Sequence, residues 1–219
     1  MVKLFKWVLK VLFTVFMLHL MLGEFSPLNL YLKYRDLKSQ VQVNSAKIIP
    51  LDSLNWVSVG SLKLLLPSDL ELVNEGENGG VHEKVYMYFS ENYGLTSIIV
   101  DAKINGKPKF DFIKTGQVVL NSRMEKAVEN VKGKDLKIQV DSINNDLNLI
   151  YFSGSFVHGS NISFYSNMKV EFLCVFRFYN ENSFNLVIVE RIGESENSKS
   201  NMIKVFKSIT FDESLNDIQ

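Results

Sequence analysis

Cysteine is nearly absent from this sequence, which has Cys174 alone among its 219 residues. A single cysteine cannot close an intramolecular disulfide, and it cannot hold a zinc ion without other ligands. No cysteine follows the apolar run near the N-terminus, which excludes the usual form of a bacterial lipoprotein. If the chain is exported, its stability must therefore come from a packed core rather than from disulfides.

An excess of charge is also lacking, because 24 basic residues balance 24 acidic ones. Without a positive excess the chain has little to neutralise a phosphate backbone, so no nucleic-acid partner is expected. Only 4 prolines are present, which excludes a rigid proline-rich region. What the sequence does have is phenylalanine, 16 in all, which suits β-strands that pack a thick core in a chain of one-domain length.

The N-terminus carries a basic segment followed by the apolar run VLFTVFMLHLML, residues 11–22. This run has the length of a signal-peptide core and falls short of a spanning helix of about 20 residues. Counted from Leu4, the apolar run approaches a spanning length if its lysines reach the membrane surface. The residues before a cut after Gly23 are large, so we expect an uncleaved anchor. A cleaved signal peptide and an amphipathic helix of a soluble protein are the alternatives.

The early lysines set the expected location. The basic side chains before the run are Lys3, Lys6 and Lys10. By the positive-inside rule this end stays in the cytoplasm, and the bulk of the chain lies on the extracytoplasmic face of the membrane, anchored or secreted. The predicted division of the chain is a signal peptide or anchor (1–23), a stalk or linker (24–55), a globular domain (56–212) and a polar tail (213–219).

The first half of the domain predicts strands over 61–67, 69–73, 84–90 and 95–104, with a turn over the Gly- and Asn-rich residues 74–80. ENYG joins the last two strands and is a hairpin signal with Gly94 in a left-handed position. Apolar residues then recur at helical spacing over 110–132. Asp111 is the expected N-cap of this helix, and Gly133 is expected to end it.

The second half predicts strands over 135–143, 147–158, 162–179 and 183–192, followed by a helix whose apolar face spans 202–209. Short polar turns between successive strands favour antiparallel pairing. In MKVEFLCVFRFY, residues 168–179, one alternating face is wholly apolar and the other is apolar in its middle. This pattern indicates a strand in a sheet that is covered on both sides, and hence an α+β fold.

Two stretches, SLKLLLPSDLEL (61–72) and NMIKVFKSITF (201–211), resemble the opening strand and the closing helix of the PsbP-like family, which includes DcrB-type envelope proteins. The resemblance implies an α/β/α sandwich with a central antiparallel sheet of about six to eight strands and two covering helices. It also implies a binding or assembly module that shares no catalytic residues, so no site residue carries over to this chain. The long stalk makes the chain more similar to the envelope members.

Few residues offer chemistry. His82 and His158 could bind zinc or manganese together with Glu83 or Asp101, but no ligand spacing supports this, and solvated loop residues are the simpler interpretation. Cys174 falls within a strand on an apolar face, where an inert buried thiol is expected rather than a nucleophile. We therefore predict no catalytic, metal-binding or cofactor-binding residue.

Three further features have structural interpretations. Ser153-Gly154-Ser155 lacks the flanking glycines of a nucleophile elbow, and its glycine indicates a bulge or close packing. The acidic stretches 69–83 and 190–196, together with Asp212 and Glu213, are expected to be solvated surface. A partner surface or a weak calcium site is the sharper alternative for them.

The function predicted from the sequence is a non-catalytic extracytoplasmic interaction or assembly module. It would be tethered to the membrane through residues 4–22 and would bind a protein partner that the sequence does not identify. The alternative is a small-ligand or lipid carrier, or a hydrolase, that uses a cleft beside the sheet. A hydrolase would need polar groups such as His82, His158 and Asp101 to converge in one pocket, and a lipid carrier would need an open apolar cavity between helix and sheet.

Overall fold

The computed structural model of the chain describes residues 45–78, 81–105, 112–159, 167–180 and 182–211. A short 3-10 turn, Leu51–Ser53, precedes the first strand. The strands and helices that follow are β1 (Asn55–Val59), β2 (Leu62–Leu66), β3 (Glu71–Asn78), β4 (Val81–Ser90), β5 (Leu95–Ile104), α1 (Phe112–Asn130), β6 (Lys134–Asn144), β7 (Leu149–Val157), β8 (Lys169–Asn180), β9 (Ser183–Ile192), α2 (Glu196–Lys207) and β10 (Thr210–Phe211).

The central sheet has seven strands in the order β3-β4-β5-β9-β8-β7-β6, and every neighbouring pair is antiparallel. The α+β class, the antiparallel sheet of six to eight strands and the two helices are thus confirmed. A second sheet of three strands, ordered β1-β2-β10, was not foreseen. Its outer strands are short: β1 is largely exposed and β10 has two residues, so neither carries a strong alternating pattern.

Each face of the central sheet has its own core. On one face α1 buries Leu120 and Met124 against the phenylalanines of β7 and β8. On the other face α2 and the small sheet bury Met202, Val205 and the leucines of β2 against β5, β8 and β9. The layers are therefore helix, seven-stranded sheet, and a third layer in which a helix and a small sheet lie side by side.

The alternation predicted for β8 is confirmed. Phe172, Cys174 and Phe176 belong to the core under α1, whereas Val175 and Leu173 belong to the core on the α2 side. The predicted end of α1 is also confirmed, because the Gly133 N–H donates to the Val128 carbonyl at 2.7 Å.

The turn predicted over 74–80 is wrong for most of its length, because β3 continues through it to Asn78 and pairs with β4 as far as Asn78↔Val81. β3 is an edge strand, and its Glu75 forms an ion pair with Lys84 of β4, with 3.0 Å between Oε1 and Nζ. The polar composition reflects a solvated edge rather than a turn. β8 begins at Lys169, later than the predicted strand start, and Asn167 just before it has φ 60, which interrupts an extended chain.

α2 begins at Glu196, several residues before the apolar face that the sequence analysis identifies. Polar residues of its first two turns bind the segment that precedes β1. Asn201 is fully buried; its Oδ1 accepts from the Ile49 N–H at 2.9 Å, and its Nδ2 donates to the Lys47 carbonyl at 2.8 Å. Ala46 and Ile49 are buried as well. Residues 46–49, which the sequence analysis places in the linker, thus pack against α2.

The apolar run 4–22, the remainder of the linker up to residue 44, Asp111 and the tail 212–219 lie outside the described residues. Within the described ranges, no helix combines the length and the apolar character needed to cross a membrane. The anchor stays a prediction.

Gly154 of β7 allows close packing at the centre of the sheet. A Cβ at this position would overlap the ring of Phe172 and the carbonyl oxygen of Lys137. The glycine therefore serves the packing of β7 between its neighbours, as the sequence analysis expected of it.

We predict that Gly154→Ala lowers the free energy of unfolding by about 1–3 kcal/mol, because the added methyl group must displace Phe172 or the β6 backbone. Gly76→Ala is the matched control, since a Cβ there meets nothing within 4 Å. Urea denaturation followed by circular dichroism measures both variants. Equal stability of the two would contradict this account of Gly154.

Candidate functional site

The two histidines proposed from the sequence do not converge. His82 lies in β4, and His158 directly follows β7. The strands β5, β9 and β8 stand between β4 and β7, a separation of four strand spacings or about 19 Å. They also lie towards opposite ends of the sheet, since His82 is level with the start of β7. The hydrolase alternative that depends on their convergence is therefore wrong.

The other candidate groups are also separated or inert. Glu83 forms an ion pair with Arg123 of α1, on the face opposite to the neighbouring His82. Cys174 is fully buried, and burial raises the pKa of its thiol well above the usual range, which keeps it protonated and unreactive. Among the residues that the structure describes, no three His, Cys, Asp or Glu side chains come close enough to hold a metal ion.

Polar side chains cross the α2 face of the sheet in one row. The row consists of the successive register partners Lys84, Asp101, Asn185 and Arg177. Asp101 Oδ1 accepts hydrogen bonds from the Tyr179 hydroxyl at 2.9 Å and from Asn185 Nδ2 at 3.0 Å. Burial, together with the charge of Asp101, raises the pKa of Tyr179 to about 12, so this hydroxyl stays a donor.

This polar row attaches the small sheet to the large one. Ser61, in the turn between β1 and β2, donates to Asn185 Oδ1 at 3.2 Å. Arg177, which is 2% exposed, lies under the ring of Phe211 in β10 at 4.7 Å. Because both contacts join the two sheets and are closed to solvent, the row acts in the architecture rather than as a reactive site.

An open groove lies on the same face, beside α2. The helix packs on β9, β8 and β5, and its Phe206 contacts Tyr151 of β7 edge-on, with ring centroids 6.2 Å apart. Farther along β7, Ser153 and Ser155 and the facing residues of β6 line an open groove. The resulting cavity has a volume of about 430 Å³. Gln139, Ser153 and Ser155 form its floor, and Lys199 of α2 and Lys137 of β6 line its sides.

The groove floor is a hydrogen-bonding surface. Gln139 Nε2 donates to Asp141 Oδ1 at 2.9 Å and to Ser153 Oγ at 3.0 Å, and Ser153 Oγ donates to the same carboxylate oxygen at 2.9 Å. Gln139, Ser153 and Asp141 thus form one network of donors and acceptors that can hydrogen-bond a bound group.

The groove has a cationic character. Of the two carboxylates at the groove, Glu171 accepts from Lys169 Nζ at 2.6 Å and from Arg191 Nε at 2.7 Å. Burial opposes ionisation of Glu171, but these hydrogen bonds outweigh it and hold its pKa below the ordinary value. Once Glu171 is compensated, the remaining charges are Asp141 at the floor and Lys137 and Lys199 at the sides. The two lysines outnumber the carboxylate, so the groove favours anionic groups.

Glu190 belongs to the acidic stretch 190–196, which the sequence analysis expects to be solvated surface, and for this residue the expectation is wrong. It lies in β9 on the face that α1 covers, between Thr96 of β5 and Phe172 of β8. Its side chain is only partly exposed, and desolvation by the groups packed around it raises its pKa to about 7. The acidic residue within the largely apolar run LVIVERI is the signal that could have identified it.

The groove was also missed. The sequence signal for it is the alternation in SGS and KIQV, which places Ser153 and Ser155 on one face with Lys137 and Gln139. The alternation identifies that shared face, but the sequence does not show that α2 leaves it open.

Comparison with known proteins adds a likeness of fold. No family model matches the chain, and no curated protein matches it. Among solved structures, it is similar to the solution structure of cyanobacterial PsbP (CyanoP) from Synechocystis sp. PCC 6803, at 15% sequence identity and a TM-score of 0.42. The match covers 76% of this chain and 97% of that chain. At this identity and TM-score the likeness says nothing about function, and the resemblance to DcrB-type proteins stays a prediction.

One prediction concerns Glu190. Its folded-state pKa lies above the ordinary value of 4.5, so its stabilising contribution is fully present below about 4.5 and is lost as pH rises through about 7. We expect Glu190→Gln to raise the melting temperature at pH 8 by about 3 °C or more and to change it little at pH 4. Thermal unfolding at both pH values measures this. The exposed Glu194→Gln is the control, and equal shifts at the two pH values would refute the assignment.

Another prediction concerns Asn185, which is fully buried in the polar row. Asn185→Ala removes a donor to Asp101 and the acceptor of Ser61, so we expect a loss of about 1–3 kcal/mol in the free energy of unfolding. Ser61→Ala, which removes one bond of the same row, should cost less. Chemical denaturation of both variants gives the comparison, and a neutral Asn185→Ala would show that the row does not hold the sheets together.

Proposed function

We propose that this protein is a non-catalytic interaction module that binds an anionic segment of a protein partner in the groove beside α2. The observation that carries the proposal is the groove itself, a cavity of about 430 Å³ whose floor offers hydrogen bonds and whose lysines offer positive charge. Among the described residues, those that line the groove include no histidine and no cysteine, which supports a binding role.

The proposed location is the extracytoplasmic face of a membrane, with residues 4–22 as the tether. The basic residues before the apolar run and the large residues before Gly23 support retention of the segment. A tether also suits a groove of modest size, because confinement to a membrane raises the effective concentration of a partner held there.

Transport of a small anion is the second candidate, since the groove volume falls within the range of small-molecule sites. Lipid transport has less support. The space between α1 and the sheet is filled by fully buried side chains, among them Phe152, Phe176 and Leu120, rather than by an open apolar cavity.

The test is chemical cross-linking of the full-length tagged chain in native membranes, followed by capture and mass spectrometry. Lys199→Glu reverses one charge of the groove near the N-terminus of α2, where a carboxylate does not destabilise the helix. We expect a stoichiometric partner with the wild type and at least about a tenfold loss with Lys199→Glu. Lys126→Glu, an exposed charge reversal on α1, is the matched control and should retain the partner.

Two results would overturn the proposal. Retention of the partner by Lys199→Glu would remove the groove from the interface. Recovery of the chain alone, with a small anion that native mass spectrometry finds in the wild type and not in Lys199→Glu, would favour the ligand carrier instead. Recovery of the chain in the soluble fraction would contradict the tether.

A further inference from the structure

β6 is an outer strand of the seven-stranded sheet and lacks a strand neighbour on one side among the residues that the structure describes. Nearly all of its side chains are exposed, including Val140 at 41% and Ile143 at 42%. An edge strand of this kind presents unpaired N–H and C=O groups that can bind another strand. The outer edge of β6 can therefore pair with a further strand.

The regular part of β6 is short and bounded. Its register with β7 is continuous from Lys137 to Val140, and irregularities interrupt it between Lys134 and Lys137 and between Val140 and Ser142. Lys137 and Gln139 lie opposite Ser155 and Ser153, on the groove side of the sheet. Asp141 is on the same side, because its carboxylate accepts from Gln139 and Ser153.

This stretch, KIQVD, is complementary to itself when two copies run antiparallel about Gln139. Lys137 then faces Asp141 of the second copy, and the two-fold axis repeats that pair on the other side. Ile138 faces Val140 of the second copy on the α1 side of the sheet. Every cross-strand pair on either side of the axis thus joins opposite charges or apolar side chains, which are the pairs that stabilise antiparallel strands.

Neighbouring registers lack this match. An axis at Ile138 places Asp135 opposite Asp141, which are like charges. An axis at Val140 places Gln139 opposite Asp141 and Ile138 opposite Ser142, and it also forms no pair of opposite charges within β6. The register about Gln139 mixes polar with apolar side chains only farther out, where Leu136 faces Ser142, so the opposite-charge pair is what distinguishes it. The charge pattern therefore selects the register about Gln139.

We propose that the protein forms a two-fold dimer in which the β6 strands of two copies pair antiparallel about Gln139 and join the two central sheets. Lys137 also lines the groove, so the second copy places its Asp141 at the groove edge, and the two grooves become neighbours across the axis. The irregularities at both ends of the run confine the pairing to this short segment.

A cysteine on the two-fold axis tests the pairing directly in membranes. In the proposed dimer, residue 139 of one copy lies opposite residue 139 of the second copy. Their Cα atoms would be about 4.5–5.5 Å apart, a distance that a disulfide can span. The natural Cys174 is buried and does not interfere. We expect full-length Gln139→Cys to give a disulfide-linked dimer after mild oxidation. Ser122→Cys, exposed on α1, is the control and should give none.

Charge reversal then tests the register. Lys137→Glu and Asp141→Lys, each added to the Gln139→Cys chain, place like charges opposite each other and should reduce cross-linking at least about tenfold. When the two reversed chains carry different tags and are expressed together, the new glutamate of one chain faces the new lysine of the other, and the second pair of the interface keeps its natural charges. Cross-linking should then return as the mixed dimer, which also shows that both variants fold.

Three outcomes would overturn the proposal. One is no more cross-linking from position 139 than from position 122. Another is cross-linking that ignores the charge reversals and shows no preference for the mixed dimer. The third is a disulfide between position 139 and a different protein, which would show that this other protein, and not a second copy, binds the edge of β6. Lys137 and Gln139 also line the groove, so the two tests are distinguished by what they measure. Here the measurement is the linkage between two copies of this chain, whereas the test of the groove compares capture of a partner by the wild type and by Lys199→Glu.

Discussion

Burial of the central strands on both faces is the constraint on which the rest of the structure depends. Every residue of β9 except Glu190 is buried, and β8 contributes large side chains to both cores. A strand that is apolar on both faces cannot leave either face to solvent. The chain must therefore supply two covers. α1 provides one of them, and α2 with the small sheet provides the other.

The second cover is attached by polar as well as apolar contacts. Asn185 and Arg177 are almost completely buried, and each meets a residue of the small sheet or of the turn beside it. Apolar packing alone would allow the small sheet to shift its position across the apolar side chains of the central sheet. Directional hydrogen bonds specify one position, since any shift would leave buried polar groups unsatisfied. The hydrogen bonds of Asn201 fix Lys47 and Ile49 on α2 in the same way.

The sequence predicts those parts of the fold whose patterns arise from burial. β5, β9, α1 and the alternating faces of β8 follow from apolar periodicity, and the structure confirms them. β1, β10 and the second half of β3 escape prediction because exposed or very short strands carry little periodicity. The convergence of His82 and His158 could not be judged from the sequence, since β9 and β8 come late in the chain yet lie between β4 and β7 in the sheet. The groove could not be predicted either, because its existence depends on where α2 lies over the sheet, and the sequence does not show this.

Uneven coverage links the architecture to binding. α2 and the small sheet lie over β5, β8, β9 and the start of β7 on one face, so β6 and the Ser153–Ser155 part of β7 form the floor of the groove. Within the part of the chain that the structure describes, the outer edge of β6 has no strand neighbour. The opposite edge strand, β3, has a bulge near its start, and its Glu75 is engaged by Lys84 of its own sheet. β6 is itself irregular at two places, and between them the side chains of Lys137 to Val140, continued by Asp141, alternate in a self-complementary order. The two edges thus differ in their side chains rather than in the regularity of their backbones. A strand that meets β3 faces three glutamates and no basic residue of that strand, whereas a second copy of β6 can place Asp141 opposite Lys137 and Val140 opposite Ile138.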